Sequence, residues 1–203
     1  MTDLVLVRHG ETEWNRIGRV QGRTDIPLNE TGREQARAAG RRLAGQRWDA
    51  VVASPLARAA DTARIIAAEL GLDGVERGDA LGERDYGRAE GMNDEDIQAA
   101  FGGRLEARES REAVVDRVKP ALVAIAGRHP GERVLVVSHG GVIGSLVRDA
   151  TRWAWPPNGE RIENGSDHAF RVDGAGELEL VTFAGRPWSR DLLPPEDAEL
   201  ARD

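Results

Sequence analysis

The chain has 203 residues, enough for one large domain with a single core and short for two. Its 28 Lys+Arg against 35 Asp+Glu leave a net charge of -7 with the basic residues scattered, which argues against a nucleic-acid module, while 40% hydrophobic residues argue against wholesale disorder. The absence of cysteine excludes disulfides, thiolate nucleophiles and cysteine metal sites, and no apolar stretch reaches the roughly 18 residues that cross a bilayer.

Asp3 stands where a secretory leader carries positive charge, so the expected compartment is the cytoplasm. Leu4 to Val7 is an unbroken apolar run, the pattern of a strand buried on both faces. Thr31 and Glu34 stand in capping-box spacing ahead of Ala36, Ala39 and Leu43, which predicts a helix over residues 31–43. A second buried strand follows at Ala50 to Ala53. Ser54-Pro55 then offers an N-cap with proline in the first turn, and Ala59, Ala63, Ile66 and Leu70 continue at helical spacing as far as Gly71.

Leu81 to Gly91 is a long polar loop of the kind that often carries function. From Ser110 to Ala126 an apolar stripe of Val114, Val118, Leu122 and Ile125 predicts a helix that Pro120 should kink or divide. Val134 to Val137 is a third buried strand, and Ser-His-Gly-Gly leads from it into a helix over Val142 to Ala150. A second long loop spans Trp153 to Ser166, Leu178 to Phe183 is a weaker strand, and the tail from Pro194 is expected to fray. The alternation predicts one α/β domain over residues 1–203, a three-layer α/β/α sandwich around a mostly parallel sheet.

Ligands of such sheets sit beyond the carboxyl ends of the strands. Those ends read Arg8-His9-Gly10-Glu11-Thr12, then Ser54-Pro55-Leu56 with Arg58 one turn on, and Ser138-His139-Gly140-Gly141. Two histidines and two arginines converge there. Neutral imidazole is a competent nucleophile toward phosphorus, and guanidinium groups bind phosphoryl oxygens in pairs while neutralising their charge. The set suits phosphoryl transfer.

The run from Arg8 to Asn15, with Gln21-Gly22 and Pro27-Leu28-Asn29-Glu30 behind it, resembles the opening of the histidine phosphatase, or phosphoglycerate mutase-like, superfamily. The resemblance continues through Ser54 to Ala63, Leu81-Gly82-Glu83 with Gly87, Glu90 and Gly91, and Ser138 to Gly141. It implies a phosphoglycerate mutase-like fold with His9 as the nucleophile that becomes phosphohistidine. Arg8, Arg58 and His139 would surround the phosphoryl group, Asn15 would add a neutral donor, and Glu83 would be the acid/base residue. An alkoxide leaving group needs a proton, which a carboxyl in a perturbed site can supply.

Two features are looser. Many family phosphatases read Gly-Glu-Ser where this chain has Arg108-Glu109-Ser110, and Asn164-Gly165-Ser166 resembles a late family motif but also suits a plain turn. His129 and His168 are expected to be structural. Trp153 and Trp155 are candidates to line the pocket, and Arg23, Arg88 and Arg104 could bind a second anionic group. A metal site built from His9, His139, Glu83 and Asp61 is opposed by the arginines, which would repel a dication, so no metal and no cofactor is expected.

The expected activity is a histidine acid phosphatase-type hydrolysis of a small phosphorylated metabolite. Return of the phosphoryl group to a second hydroxyl, as in a mutase, is the alternative, and a non-catalytic phospho-ligand module is a third reading. The expected partner is a small phosphate ester, without nucleic acid or membrane, and the oligomeric state stays open. The family's mutases carry a long insertion between the acid/base glutamate and the second histidine, whereas Glu83 and His139 are separated mainly by one short and one longer helix. That shortness favours the phosphatase.

Overall fold

The computed structural model describes residues 1–102, 108–156, 161–189 and 191. Its strands are β1 (Thr2–Arg8), β2 (Ala50–Ala53), β3 (Glu76–Arg77), β4 (Arg133–Ser138), β5 (Asp167–Val172), β6 (Leu178–Phe183) and β7 (Arg186–Pro187). They form one sheet in the order β3-β2-β4-β1-β5-β6-β7. The first four run parallel to one another, and the last three continue the sheet antiparallel.

The unbroken apolar runs follow from helices on both sides of the sheet. Leu4 and Leu6 of β1, with Val134 and Val136 of β4, face α5 (Arg111–Arg128) and α6 (Gly140–Ala150). Val5 and Val7, with Leu135 and Val137, face α2 (Glu30–Leu43) and α3 (Ala57–Leu70). The two short helices, α1 (Glu13–Arg16) and α4 (Asp94–Phe101), lie outside this core. The α/β/α sandwich is therefore present, with its parallel half at the β3 side.

Several boundaries differ from those expected. Helix α2 is capped by Asn29, whose side chain accepts from the Gly32 amide, so it begins before Thr31. Ser54 does not cap α3: Leu56 holds the N-cap position, and the Ser54 hydroxyl is spent on His139 instead. Helix α5 runs unbroken through Pro120, which lies on its exposed side while Val114, Val118, Leu122 and Ile125 are buried. Burial of that stripe holds the helix together despite the missing N–H. Strand β5 alternates buried and half-buried residues, a signal different from the continuous runs that marked its neighbours. The tail from Pro194 lies outside the described residues.

Candidate active site

Strands β2, β4 and β1 are adjacent and parallel, with Ala53 opposite Val137 and Arg8 opposite Ser138. That register brings His139 and His9, the next residues of β4 and β1, to one level at the carboxyl edge, with Ser54 one step below them opposite Ser138. The ladder continues one step further, since the Ser54 amide donates to Val137 and the His9 amide to Ser138. The His9 and His139 rings meet edge to face with centroids 5.2 Å apart.

Both imidazoles are held by close neighbours, and the one beside His9 settles its proton. His9 Nδ1 lies 2.7 Å from the Gly10 carbonyl, which can only accept, so the proton sits on Nδ1. Nε2 then presents its lone pair and accepts from Arg58 Nε at 3.2 Å. Burial, together with the charges of Arg58 and Arg8, holds His9 well below the ordinary histidine pKa, so the ring stays neutral. His139 is held low by burial and by the Arg58 charge. Its Nε2 is 2.7 Å from Ser54 Oγ, which accepts from the Leu56 amide and so has its own proton free for the ring. His139 Nδ1 is buried and has no partner among the described residues.

Arg58 is completely buried and anchored by the carbonyls of Gly22 and Thr24 at 2.8 and 2.9 Å. It reaches the site from the first turn of α3, and Thr62 one turn on links that helix to the Gly10 amide. Arg8 is bound to the Ile162 carbonyl, while its Nε has no partner among the described residues. Burial lowers the pKa of both guanidiniums, yet an arginine keeps its charge at any physiological pH.

Glu83 is 8% exposed and accepts from its neighbour Arg84 N at 2.8 Å and from Gly141 N, in the first turn of α6, at 3.1 Å. The loop that carries it is braced by Arg117 of α5, which donates to the carbonyls of Ala80 and Glu83 and pairs with Glu109. Glu109 also accepts from the Asp85 amide, and Ser110 caps α5. The Arg108-Glu109-Ser110 segment thus holds the acid loop with arginine in the place of the usual glycine.

Asn15 sits in a capping box with Thr12, its Oδ1 accepting from Thr12 and from Asn164 Nδ2. Asn164 also donates to the His9 carbonyl, and the Gly165 amide donates to Arg8. Residues 164–166 are therefore part of the wall that fixes the Arg8-His9 backbone, more than a plain turn. The structure brings Arg8, His9, Asn15, Arg58, Glu83 and His139 together. Contacts of Ser54, Thr62 and Arg117 are added by it: the first two fall in the family-like run from Ser54 to Ala63 without an assigned role there, and nothing local distinguishes Arg117.

Other candidates lie elsewhere. Trp155 packs edge to face on Phe183 against the core. His168 is wholly buried, between Ser166 Oγ and the Ala184 amide, and His129 pairs with Glu132. Arg23 lies 3.8 Å from Asp85, Arg88 stacks on Phe101, and Arg104 is outside the described residues. Among the described residues no three His, Asp or Glu side chains form a cluster of metal-binding size, and no helix is long and apolar enough to cross a membrane.

The family model for the histidine phosphatase superfamily (branch 1) matches residues 4–179. An uncharacterized phosphatase, PhoE of Bacillus subtilis, is 43% identical over 73% of this chain and 77% of its own length. Phosphoglycerate mutase-like protein 4 of Arabidopsis thaliana is 38% identical over 84% of this chain and 79% of its own. The solved structure of a mycobacterial glucosyl-3-phosphoglycerate phosphatase, complexed with VO3, superposes with a TM-score of 0.78 at 32% identity, covering 90% of this chain and 98% of that one. Strand-end histidines flanked by buried arginines, on this sheet order and with these relatives, make the chain a member of the histidine phosphatase superfamily.

Proposed function

We propose that the enzyme hydrolyses a small phosphate monoester through a phosphohistidine on His9, in two displacements. In the first, the Nε2 lone pair of His9 attacks phosphorus, the bond from phosphorus to the ester oxygen breaks, and that oxygen takes the proton of the Glu83 carboxyl. In the second, water attacks the phosphohistidine, its proton passes to the Glu83 carboxylate, and inorganic phosphate leaves. The observation that carries the reading is the neutral His9 whose only free lone pair already lies 3.2 Å from a buried guanidinium. As the nucleophile is consumed, Arg58 Nε–H is released to a phosphoryl oxygen, and the unpaired Arg8 Nε and His139 Nδ1 supply two more donors.

In reaction type this is a histidine acid phosphatase, with histidine as acceptor and a carboxylic acid serving the leaving oxygen. The charge that a metal would bring is supplied by Arg8 and Arg58, so the reaction is proposed as metal-independent, and the setting proposed for it is the cytoplasm. Hydrolysis is favoured over return transfer because only 55 residues separate Glu83 from His139, and 32 of them lie in α4, α5 and β4, which leaves short connections in place of a long inserted lid.

The test is brief exposure to a 32P-labelled monoester followed by denaturation. Wild-type protein should carry acid-labile, base-stable label, and His9→Ala should carry none and lose turnover. Label retained in the alanine variant would remove His9 from its role.

A further inference from the structure

Two loops remote in the chain are tied together by one carboxylate that takes no part in the reaction above. Glu90 is half-buried near the end of the loop that carries Glu83, and four donors meet its two oxygens. Oε1 accepts from the Arg23 amide at 2.8 Å and from the Tyr86 amide at 3.4 Å, while Oε2 accepts from the Thr24 amide at 2.9 Å and from the Thr24 hydroxyl. The backbone closes the same junction, the Gly91 amide donating to Val20 and the Val20 amide to Met92. Gly22 permits the approach, since its φ is +56° and a Cβ on it would lie 1.9 Å from Glu90 Oε1.

The loop gripped in this way is the one that anchors Arg58. Arg58 Nη2 donates to the Gly22 carbonyl at 2.8 Å and Nη1 to the Thr24 carbonyl at 2.9 Å, which leaves Nε for His9 at 3.2 Å. The Gly22 carbonyl and the Arg23 N–H belong to one planar peptide unit and point to opposite sides of it. Arg58 holds one side of that plate and Glu90 the other. Turning the plate would turn the guanidinium. Glu90 also helps to keep the charge it steers: burial lowers the Arg58 pKa, and the charges of Glu83, Asp25 and Glu90 oppose that.

We propose that Glu90 is a positioning residue for Arg58, its carboxylate locking the Gly22–Arg23 peptide whose carbonyl aims the guanidinium at the phosphoryl group. This rests on the phosphatase reading above, which gives Arg58 its phosphoryl ligand. All four partners of Glu90 are donors, so two accepting oxygens are needed. A glutamine offers one, and its NH2 would face donors it cannot accept from. Small errors in aim are costly when donors must meet the reacting group within a fraction of an ångström.

Calorimetric binding of orthovanadate, with the melting temperature followed alongside, separates aim from general stability. Glu90→Gln should weaken orthovanadate at least tenfold. In the R58K background, where a charge remains but no fork is left to aim, E90Q should cost less than threefold. The Tyr86 contact gives Glu90 a second route, toward Glu83, so E90Q added to E83Q should still cost its full factor. T24V, which removes only the hydroxyl contact, should weaken binding in the same Arg58-dependent manner, and T24S should restore it, so the outcome does not hang on the folding of one variant. An E90Q affinity within threefold of wild type, an equal loss in the R58K background, or a loss that vanishes in E83Q would overturn the assignment. Wild-type protein that binds orthovanadate but releases no phosphate from nitrophenyl phosphate would count against the phosphatase reading, while the affinity ratios would still decide the role of Glu90.

Discussion

At the scale of single residues, the site holds both of its histidines neutral by burial and by the nearby arginine charge. If the Glu83 carboxyl serves the leaving oxygen, its removal should matter in proportion to how badly that oxygen needs a proton. Glu83→Gln should therefore slow an alkyl phosphate by about 10²–10⁴-fold and nitrophenyl phosphate far less, because nitrophenolate leaves without help. Steady-state kinetics on the pair of substrates checks this, and equal losses would give Glu83 only a positioning role. The neutral state of His9 has a second consequence: its ring is not switched off by protonation near its ordinary pKa of about 6.5.

At the scale of elements, the glycine-rich entry to α6 serves contact more than conformation. Gly141 has an ordinary helical backbone, but a Cβ there would stand 2.6 Å from Glu83 Oε1, 3.1 Å from the Tyr86 hydroxyl and 3.2 Å from Arg84 Cβ. Glu83 is a movable side chain, so Gly141→Ala should displace it without unfolding the protein, and alanine in a helix interior recovers about 1 kcal/mol of propensity. The expected result is kcat/KM lowered at least tenfold with a melting temperature unchanged or slightly raised. An alanine variant with full activity would show that the Gly141–Glu83 contact is dispensable. The same contact logic applies at Gly10 and Gly32, whose backbones touch so closely that a Cβ on Gly10 would lie 2.2 Å from the Gly32 carbonyl. That approach seats α2 against the nucleophile loop.

At the scale of the whole molecule, buried neutral histidines make stability depend on pH. His168 accepts from the Ala184 amide at Nδ1 and donates from Nε2 to Ser166, and burial lowers its pKa from 6.5 to about 4. The unfolded chain takes up a proton below 6.5 that the folded chain refuses until about 4, so stability falls as pH falls through that window. Its share is on the order of 3 kcal/mol across the window. His9 and His139, lowered for the same reason, add to it in the same direction. Urea unfolding at pH 7 and pH 4.5 should show the loss, and His168→Gln should flatten the dependence by roughly its own share. An unchanged slope in that variant would mean that His168 takes up its proton in the folded state.

Four of the seven strands, the four long helices, the strand-end histidines and the arginines at the end of β1 and after β2 were legible in the linear chain. Burial on both faces writes an unbroken apolar run, and a strand end followed by a short polar segment marks where chemistry can sit. Strand β5 was harder to read because it alternates buried and half-buried residues, and the start of α2 slipped because Asn29 outcompetes Thr31 as a cap. Tertiary structure alone decided which atoms meet. Ser54 reads as a helix cap until β2 and β4 are set side by side, when its hydroxyl turns to His139. Arg23 and Glu90 are 67 positions apart, and only the packing of their two loops sets the carboxylate on the peptide that holds Arg58. Periodicity is a local property of the chain, whereas hydrogen-bond partners of this kind depend on contacts between residues remote in sequence.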